Sequence, residues 1–255
     1  MIKGAGKSGG RCPCTKEFSR LIFELTGVSR GLTQIRKFIH QIGFKYLQTD
    51  PVRQRQWKEK TLEPAIEEAE KGECHLFFCD VAHFVLSPFV CRIWSLTRKF
   101  VKASAGRNRI NVLGAVNAVT KDIVTLINDT FIDANVVMAF LWQIRETYAD
   151  KPIKIVLDNA RYQHCKAVIQ VAQSMDVELL FPPPYSRNLN IIERLWKFTK
   201  KKILNGEYYQ TPKKFHDAIR GFFDTVGTKY QAEIENLLTL NFQLFDDSNA
   251  QNYTA

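Results

Sequence analysis

The chain of 255 residues is long enough for one large domain with a small appended segment, and it can bury a sizeable core. Hydrophobic residues make up 45% and charged residues 24%, which excludes a disordered or collagen-like chain. The net charge of +10 lies almost wholly at one end, because residues 1–60 carry thirteen Lys and Arg against four Asp and Glu. A basic segment ahead of a nearly neutral body is typical of a nucleic-acid-binding arm, and a solvated basic face is the alternative.

The cellular compartment can be predicted from what opens the chain and from its cysteines. The first ten residues, MIKGAGKSGG, lack the apolar stretch of a secretory signal, and the longest apolar run, 76–86, is too short and too polar to span a bilayer. Most of the six cysteines lie in apolar surroundings, so we expect them to be reduced. We therefore expect a cytoplasmic protein without a membrane partner.

The first predicted elements are two short helices. Thr15 is a suitable N-cap for the first, which Gly27 ends, and the second is predicted to start at Ser29 and to stop at Gly43. Two such helices joined by a tight turn are typical of a helix-turn-helix, although an ordinary helical hairpin would show the same spacing. The polar side chains that the second helix would present to a DNA major groove are Arg30, Thr33, Gln34 and Lys37.

The rest of the chain is predicted to form an α/β domain with a mixed sheet, because strands come first and then alternate with helices. We divide the chain into a DNA-binding segment at 1–50, a basic linker and helix at 51–72, and the α/β domain at 73–245. The expected strands are 75–86, 90–97, 111–120, 122–130, 151–158 and 177–181, and the expected helices are 134–148, 163–174 and a final group from 191 onward.

Three acidic residues stand where chemistry is expected. Asp80 interrupts an apolar run, where an unpaired charge is expensive to bury, and Asp158 ends a strand at the edge where α/β sheets place their ligands. Glu193 lies just inside a helix that follows an irregular turn. Taken singly, Asp158 could be a solvent-facing strand end and Glu193 a partner of the helix dipole. Converging together, they would form an oxygen-rich pocket that suits Mg²⁺ or Mn²⁺.

Two segments, LDNARYQH and PPPYSRNLNIIERLWKFTKKK, resemble the signature of the DDE transposases of the Tc/mariner superfamily, most closely its bacterial insertion-sequence branch. Thirty-four residues separate Asp158 from Glu193, as in that family's last two acids, and DVAHF resembles the segment that holds the first acid, which maps to Asp80. The resemblance implies an RNase H-like mixed sheet flanked by helices, preceded by a small all-α helix-turn-helix segment.

The resemblance also implies a function. A DDE transposase of this kind would use Asp80, Asp158 and Glu193 to hold two Mg²⁺ or Mn²⁺ ions, cleave the ends of its transposon and join them to target DNA at a TA step. Asn159 and His164 would lie behind these ligands and orient the metal site, with a plain surface role as the alternative for His164. We expect a homodimer on double-stranded DNA in a bacterial cytoplasm, associated with the nucleoid when bound.

The basic residues outside the first two helices that we expect to contact DNA are Arg53, Arg55, Arg161, Arg187, Arg194, Lys197, Lys200 and Lys201. Trp196, by contrast, is expected to pack in the core.

Two departures from the family leave alternatives open. Arg187 follows Ser186 where the family's turn usually continues with proline, and one helix-turn-helix precedes the acids where two are usual. The chain could therefore be a truncated or repurposed remnant that binds DNA without cutting it. Another RNase H-like nuclease, such as a junction resolvase or an RNA:DNA hybrid nuclease, is the third possibility. The three acids and their spacing favour the transposase.

Overall fold

The computed structural model describes residues 15–41, 50–86, 108–160, 162–205, 207 and 209–244. The chain divides into two compact units, Met1–Gln48 and Thr49–Ala255. Within the described ranges, no helix is long and apolar enough to cross a membrane. The strand expected at 90–97 falls outside the described residues.

The first unit contains two helices, α1 (Thr15–Thr26) and α2 (Leu32–Gln41). Gly27 ends α1 with a left-handed backbone (φ +67°), which glycine adopts at no steric cost, and its N–H donates to the Phe23 carbonyl at 2.8 Å. Both helices were predicted, but α2 begins three residues later than expected. Phe18 and Ile35 are the buried apolar side chains of this unit among those described.

The second unit opens with a helical segment where the polar, basic sequence predicted a linker running into a helix, and this helix already begins at Pro51. Asp50 caps α3 (Pro51–Trp57) by accepting a 3.1 Å hydrogen bond from the Arg53 N–H. A π-helical turn (Lys58–Leu62) continues α3 directly into α4 (Glu63–Glu70). This widened turn was not predicted from the sequence, and its Leu62 is fully buried in the core.

A five-stranded mixed sheet forms the centre of the second unit, in the spatial order β3-β2-β1-β4-β5. Strands β1, β2 and β3 pair antiparallel, whereas β1, β4 and β5 pair parallel. The strands are β1 (His75–Val85), β2 (Arg109–Asn117), β3 (Ile123–Asn128), β4 (Ile153–Val156) and β5 (Val177–Leu180). This confirms the predicted α/β class with a mixed sheet.

Helices cover both faces of the sheet and define two cores. On one face, α5 (Ala134–Thr147) and α6 (Lys166–Ser174) pack on the side chains of Phe77 and Cys79. The opposite face of β1 carries Phe78, Ala82 and Phe84 and packs against α4 and the C-terminal helices. Those helices are α7 (Ile192–Ile203), α8 (Pro212–Lys229) and α9 (Gln231–Leu237). Successive side chains of β1 therefore alternate between two apolar layers.

Candidate active site

The first acid, Asp80, lies in the middle of β1 on the sheet face that α7 covers. Its carboxylate accepts a 3.0 Å hydrogen bond from the indole nitrogen of Trp196. On one side of β1, Gly114 of β2 lies directly opposite Asp80. On the other side, continuing the parallel β1–β4 register by two residues brings Asp158 level with Asp80. The register thus brings Asp80, on β1, level with the chain just beyond the end of β4, where Asp158 lies.

The second acid, Asp158, is exposed and lies two residues beyond the end of β4. The predicted strand is therefore shorter than expected. Leu157 still donates its N–H to the Leu180 carbonyl at 3.0 Å, so the chain leaves the sheet only at Asp158. There the carboxylate accepts a 3.3 Å hydrogen bond from the Ala160 N–H, which turns the backbone away from the strand.

Asn159 and His164, predicted to lie behind the metal ligands, contact each other. The His164 Nε2 atom is 3.1 Å from the Asn159 Oδ1 atom, and the Asn159 amide donates to the Pro182 carbonyl. The imidazole of His164 stacks on Phe181, with ring centroids 3.9 Å apart. These contacts tie the loop that carries Asp158 to the segment after β5.

The third acid, Glu193, occupies the first turn of α7. Asn190 fixes the start of this helix, because its side-chain nitrogen donates to the Cys79 carbonyl at 3.0 Å and its oxygen accepts from the Ile192 N–H at 3.3 Å. Cys79 immediately precedes Asp80 on β1. A single buried asparagine therefore connects the helix that carries the third acid to the strand that carries the first.

The turn before α7 has a second anchor that the sequence analysis missed. Gln54 of α3 is fully buried, and its amide nitrogen lies 3.4 Å from both the Tyr185 carbonyl and the Asn188 Oδ1 atom. Asn188 returns a 3.2 Å hydrogen bond to Gln54. Tyr185 adopts a left-handed backbone (φ +63°), which is costly for a non-glycine residue and persists only where the surroundings fix it. No pattern in the sequence pairs positions so far apart.

The electrostatics of Asp80 indicate that the three acids share one region. The pKa of Asp80 is raised from its ordinary 3.8 to about 7, first by burial and then by the negative charges of Glu193 and Asp158. Hydrogen bonds from the Val81 N–H and the Trp196 indole oppose this rise in the pKa. Negative charge has thus accumulated around a partly buried carboxyl.

The positions of the three carboxylates stop short of a closed metal site. Within the described residues, no three His, Cys, Asp or Glu side chains stand close enough together to hold one ion. Glu193 forms an ion pair with Arg187, whose Nε atom lies 3.7 Å from the Glu193 carboxylate. The Arg187 side chain is 88% exposed, so this pair is weak and heavily screened.

A positively charged ridge runs along α7 from Glu193. Residues four, seven and eight positions along a helix share one face, and Lys197, Lys200 and Lys201 are all exposed at those positions. With a rise of about 1.5 Å per residue, the ridge extends about 12 Å from the acid. Arg53 and Arg55 of α3 are also exposed, whereas Arg161 lies outside the described residues.

We expect the double variant Lys200→Ala/Lys201→Ala to bind duplex DNA with a weaker salt dependence. Each lost phosphate contact lowers the slope of log K against log salt by about 0.9, so the slope should fall by up to about 2. Fluorescence anisotropy with labelled duplex DNA at several salt concentrations measures this slope. The matched control is Lys213→Ala/Lys214→Ala, an exposed pair at the start of α8. Equal slopes for the two double variants would show that α7 has no special part in binding.

Arg194, predicted to contact DNA, binds backbone carbonyls of this chain instead. Its guanidinium donates to the carbonyls of Leu237, Thr239 and Asn241 at 3.2, 2.7 and 2.5 Å. Leu237 is the last residue of α9, whose final C=O groups have no partners within the helix, and Thr239 and Asn241 follow it. The sequence pattern could not distinguish this arginine from its exposed neighbours. We assign Arg194 to the packing of the C-terminal segment.

Comparison with known proteins identifies the family. A sequence model described as DDE superfamily endonuclease matches residues 75–216, more than half of the chain. The chain belongs to this family. The three acids that we selected from the sequence all lie within the matched residues. A search of curated proteins found no match.

Solved structures of Mos1 transposase share the fold. The chain is 13% identical to a chain of the Mos1 strand transfer complex, with a TM-score of 0.53, and the match covers 91% of this chain and 77% of the other. A Mos1 transposase paired-end complex with the left transposon end gives 12% identity, a TM-score of 0.54 and the same coverage. The RNase H-like sheet with flanking helices that the sequence predicted is thereby confirmed.

Proposed function

We propose that this chain is a metal-dependent DNA transposase that cleaves transposon ends and transfers them into target DNA. The observation that supports this most is the convergence of negative charge on Asp80 from Glu193 and Asp158, within the part of the chain that the DDE endonuclease family matches. Paired carboxylates without nitrogen or sulfur donors suit hard divalent cations. We propose two Mg²⁺ or Mn²⁺ ions as the cofactors, with Asp80, Asp158 and Glu193 as their ligands.

When bound, the ions would activate the attacking oxygen and stabilise the leaving oxygen of an in-line displacement at phosphorus. In cleavage the attacking group is water, and in strand transfer it is a DNA 3′-hydroxyl; one P–O bond forms while another breaks. Asp158 is exposed and Glu193 partly so, which leaves both accessible to a phosphate. Asp80 is held from behind by Trp196.

The basic side chains would align the DNA with the acids. Lys197, Lys200 and Lys201 project from the same face of α7 as Glu193, so they can follow the backbone beyond the scissile phosphate. Arg187 is exposed beside Glu193 and can exchange its weak ion pair for a phosphate. Asn159 and His164 would keep the Asp158 loop in place. Arg53, Arg55 and Arg161 complete the proposed contacts.

Recognition of the transposon ends is assigned to the first unit. Arg30, Thr33, Gln34 and Lys37 are all exposed on or just before α2, as the recognition helix of a helix-turn-helix requires. The division after Gln48 supports a DNA-binding segment at 1–50, and the proposed linker helix at 51–72 belongs to the same compact unit as the proposed catalytic domain at 73–245. A homodimer on DNA, a bacterial insertion-sequence origin and a cytoplasmic, nucleoid-associated location belong to the same proposal.

The proposed function predicts that the purified chain nicks supercoiled plasmid in Mn²⁺ or Mg²⁺ and that Glu193→Gln and Asp158→Asn do not. Both substitutions remove a negative charge and keep the shape of the side chain. The matched control is Glu146→Gln, an exposed position on α5, across the sheet from Asp80. Gel electrophoresis of the plasmid forms measures nicking.

Two results would contradict the proposal. Nicking that survives in both variants would assign the activity to other residues. A wild-type chain that binds DNA in a salt-dependent way but does not nick it in Mn²⁺ or Mg²⁺ would instead favour a remnant that binds DNA without cutting it.

A further inference from the structure

Trp196 has a buried polar group that points at the first acid. The side chain is 3% exposed, and its indole N–H donates to the Oδ2 atom of Asp80 at 3.0 Å. A buried indole N–H requires an acceptor, and most tryptophans use a backbone carbonyl or water for this purpose. Here the acceptor is the carboxylate of a proposed metal ligand.

The indole is seated against the sheet by a glycine. Gly114 lies directly opposite Asp80 on β2, and a Cβ atom at that position would fall 2.6 Å from Cη2 and 3.2 Å from Cζ2 of Trp196. Real Cβ atoms are never found so close to a neighbour. The backbone conformation of Gly114 is one that any residue can adopt. Glycine is required at this position because the indole ring of Trp196 lies too close for a Cβ atom.

Two further aromatic rings hold the indole from the sides. Phe84 and Phe223 both meet Trp196 edge to face, with centroid distances of 6.4 and 6.1 Å and interplanar angles of 82° and 77°. Phe84 is fully buried on β1. With a glycine beneath it and aromatic rings beside it, the indole has a fixed orientation, and so has the hydrogen bond to Asp80.

We propose that Trp196, seated on Gly114, is a positioning residue that fixes the Asp80 carboxylate for divalent cation binding. The inference rests on the proposed function, since it assumes that Asp80 is a metal ligand. The hydrogen bond from the indole to Oδ2 restricts the rotation of the carboxylate. Partners of this kind behind metal ligands typically change metal affinity or activity about 10–100-fold when they are removed.

The first test is Trp196→Phe, which keeps an aromatic ring in the core and removes the N–H donor. We expect Mn²⁺ binding, measured by isothermal titration calorimetry, to weaken roughly tenfold or more, and plasmid nicking to fall with it. The matched control is Phe215→Leu, which disturbs the same core at a fully buried ring that packs against Tyr209 and His216. That variant should lose thermal stability and keep the wild-type Mn²⁺ affinity.

The second test changes Gly114, against which the indole ring packs, and leaves Trp196 itself in place. Gly114→Ala adds the Cβ atom that collides with Cη2, so it should displace the indole and weaken Mn²⁺ binding in the wild-type background. Phenylalanine lacks the outer edge of the indole. In the Trp196→Phe background the same alanine should therefore cause no further loss of Mn²⁺ affinity.

The outcomes separate this inference from the proposed function. Wild-type Mn²⁺ affinity in Trp196→Phe, or equal losses from Gly114→Ala in both backgrounds, would overturn the positioning role. A wild-type chain that binds Mn²⁺ but does not nick DNA would contradict the proposed function alone, and weaker binding by Trp196→Phe would still support the inference. A chain that binds no Mn²⁺ at all would contradict both.

Discussion

Asp80→Asn is expected to stabilise the fold and to abolish cleavage. The pKa of Asp80 lies at about 7 in the folded chain and near 3.8 in the unfolded chain, so ionising this carboxyl costs folding free energy. One pKa unit corresponds to about 1.4 kcal/mol, so removing the charge should raise the free energy of unfolding on the order of 2–4 kcal/mol at pH 8. The amide oxygen of asparagine can still accept the hydrogen bond from Trp196.

The pH dependence of this stabilisation has a definite sign. Well below pH 3.8 the carboxyl is neutral in both states, and the wild type and the variant should be equally stable. Between pH 4 and pH 7 only the unfolded chain has ionised Asp80, so the advantage of the variant grows with pH. Above pH 7 the difference in the free energy of unfolding between the two proteins is constant. Urea unfolding of both proteins at pH 4, 5, 6, 7 and 8, without divalent metal, measures the difference.

In the presence of divalent metal, the wild type should be more stable than Asp80→Asn. Mn²⁺ binds the folded wild-type chain and stabilises it by mass action, whereas the variant has lost a ligand. Nicking by the variant should fall about 10³-fold, because a metal ion contributes several kcal/mol to such a reaction and each 1.4 kcal/mol is a factor of about ten. A variant that is less stable than the wild type at pH 8 without metal would contradict this account of Asp80.

Arg194→Ala is expected to destabilise the second unit strongly and to leave DNA binding almost unchanged. The guanidinium holds three carbonyls between Leu237 and Asn241, and hydrogen bonds from a charged group contribute about 1.5–3 kcal/mol each, although not additively. We expect a loss of about 3 kcal/mol in the free energy of unfolding. In a unit of this size that corresponds to a fall of about 6–12 °C in Tm.

The control for this prediction is Lys197→Ala, one helical turn further along α7. Lys197 is exposed, so its loss should change the free energy of unfolding by no more than about 0.5 kcal/mol. The two variants should also differ in DNA binding, because only Lys197 belongs to the exposed ridge. A lower salt slope for Arg194→Ala, with an unchanged Tm, would restore the DNA contact that the sequence predicted.

The elements with a clear hydrophobic pattern were predicted well from the sequence. Strand β1 and helix α5 end within one residue of the predicted positions, because their apolar residues and polar boundaries are unambiguous. Helix α6 begins three residues later than predicted, at Lys166. The π-helical turn at Lys58–Leu62 could not be predicted, since an extra residue in one turn of a helix leaves no mark in the composition.

The acids of the candidate site could be selected from the sequence, but their supports could not. Carboxylates at element ends are visible in a linear pattern, whereas the partners of Asn190, Trp196 and Gln54 lie between 111 and 134 residues away. Arg194 shows the converse error, because a basic residue among lysines was assigned to DNA although its guanidinium faces inward. Such contacts depend on register and packing, which only the folded chain specifies.

The placement of Asp80 divides the proposed site into a fixed part and an adjustable part. Asp80 stands on the central strand of the sheet, where it pairs with Gly114 of β2, whereas Asp158 follows a strand end and Glu193 opens a helix. Because Asn190 joins the start of α7 to β1, closing around a cation would fall to the loop that carries Asp158 and to the side chain of Glu193, with the strand as the reference point. Two ions of different radius could then be accommodated by small loop movements, without any change in the sheet.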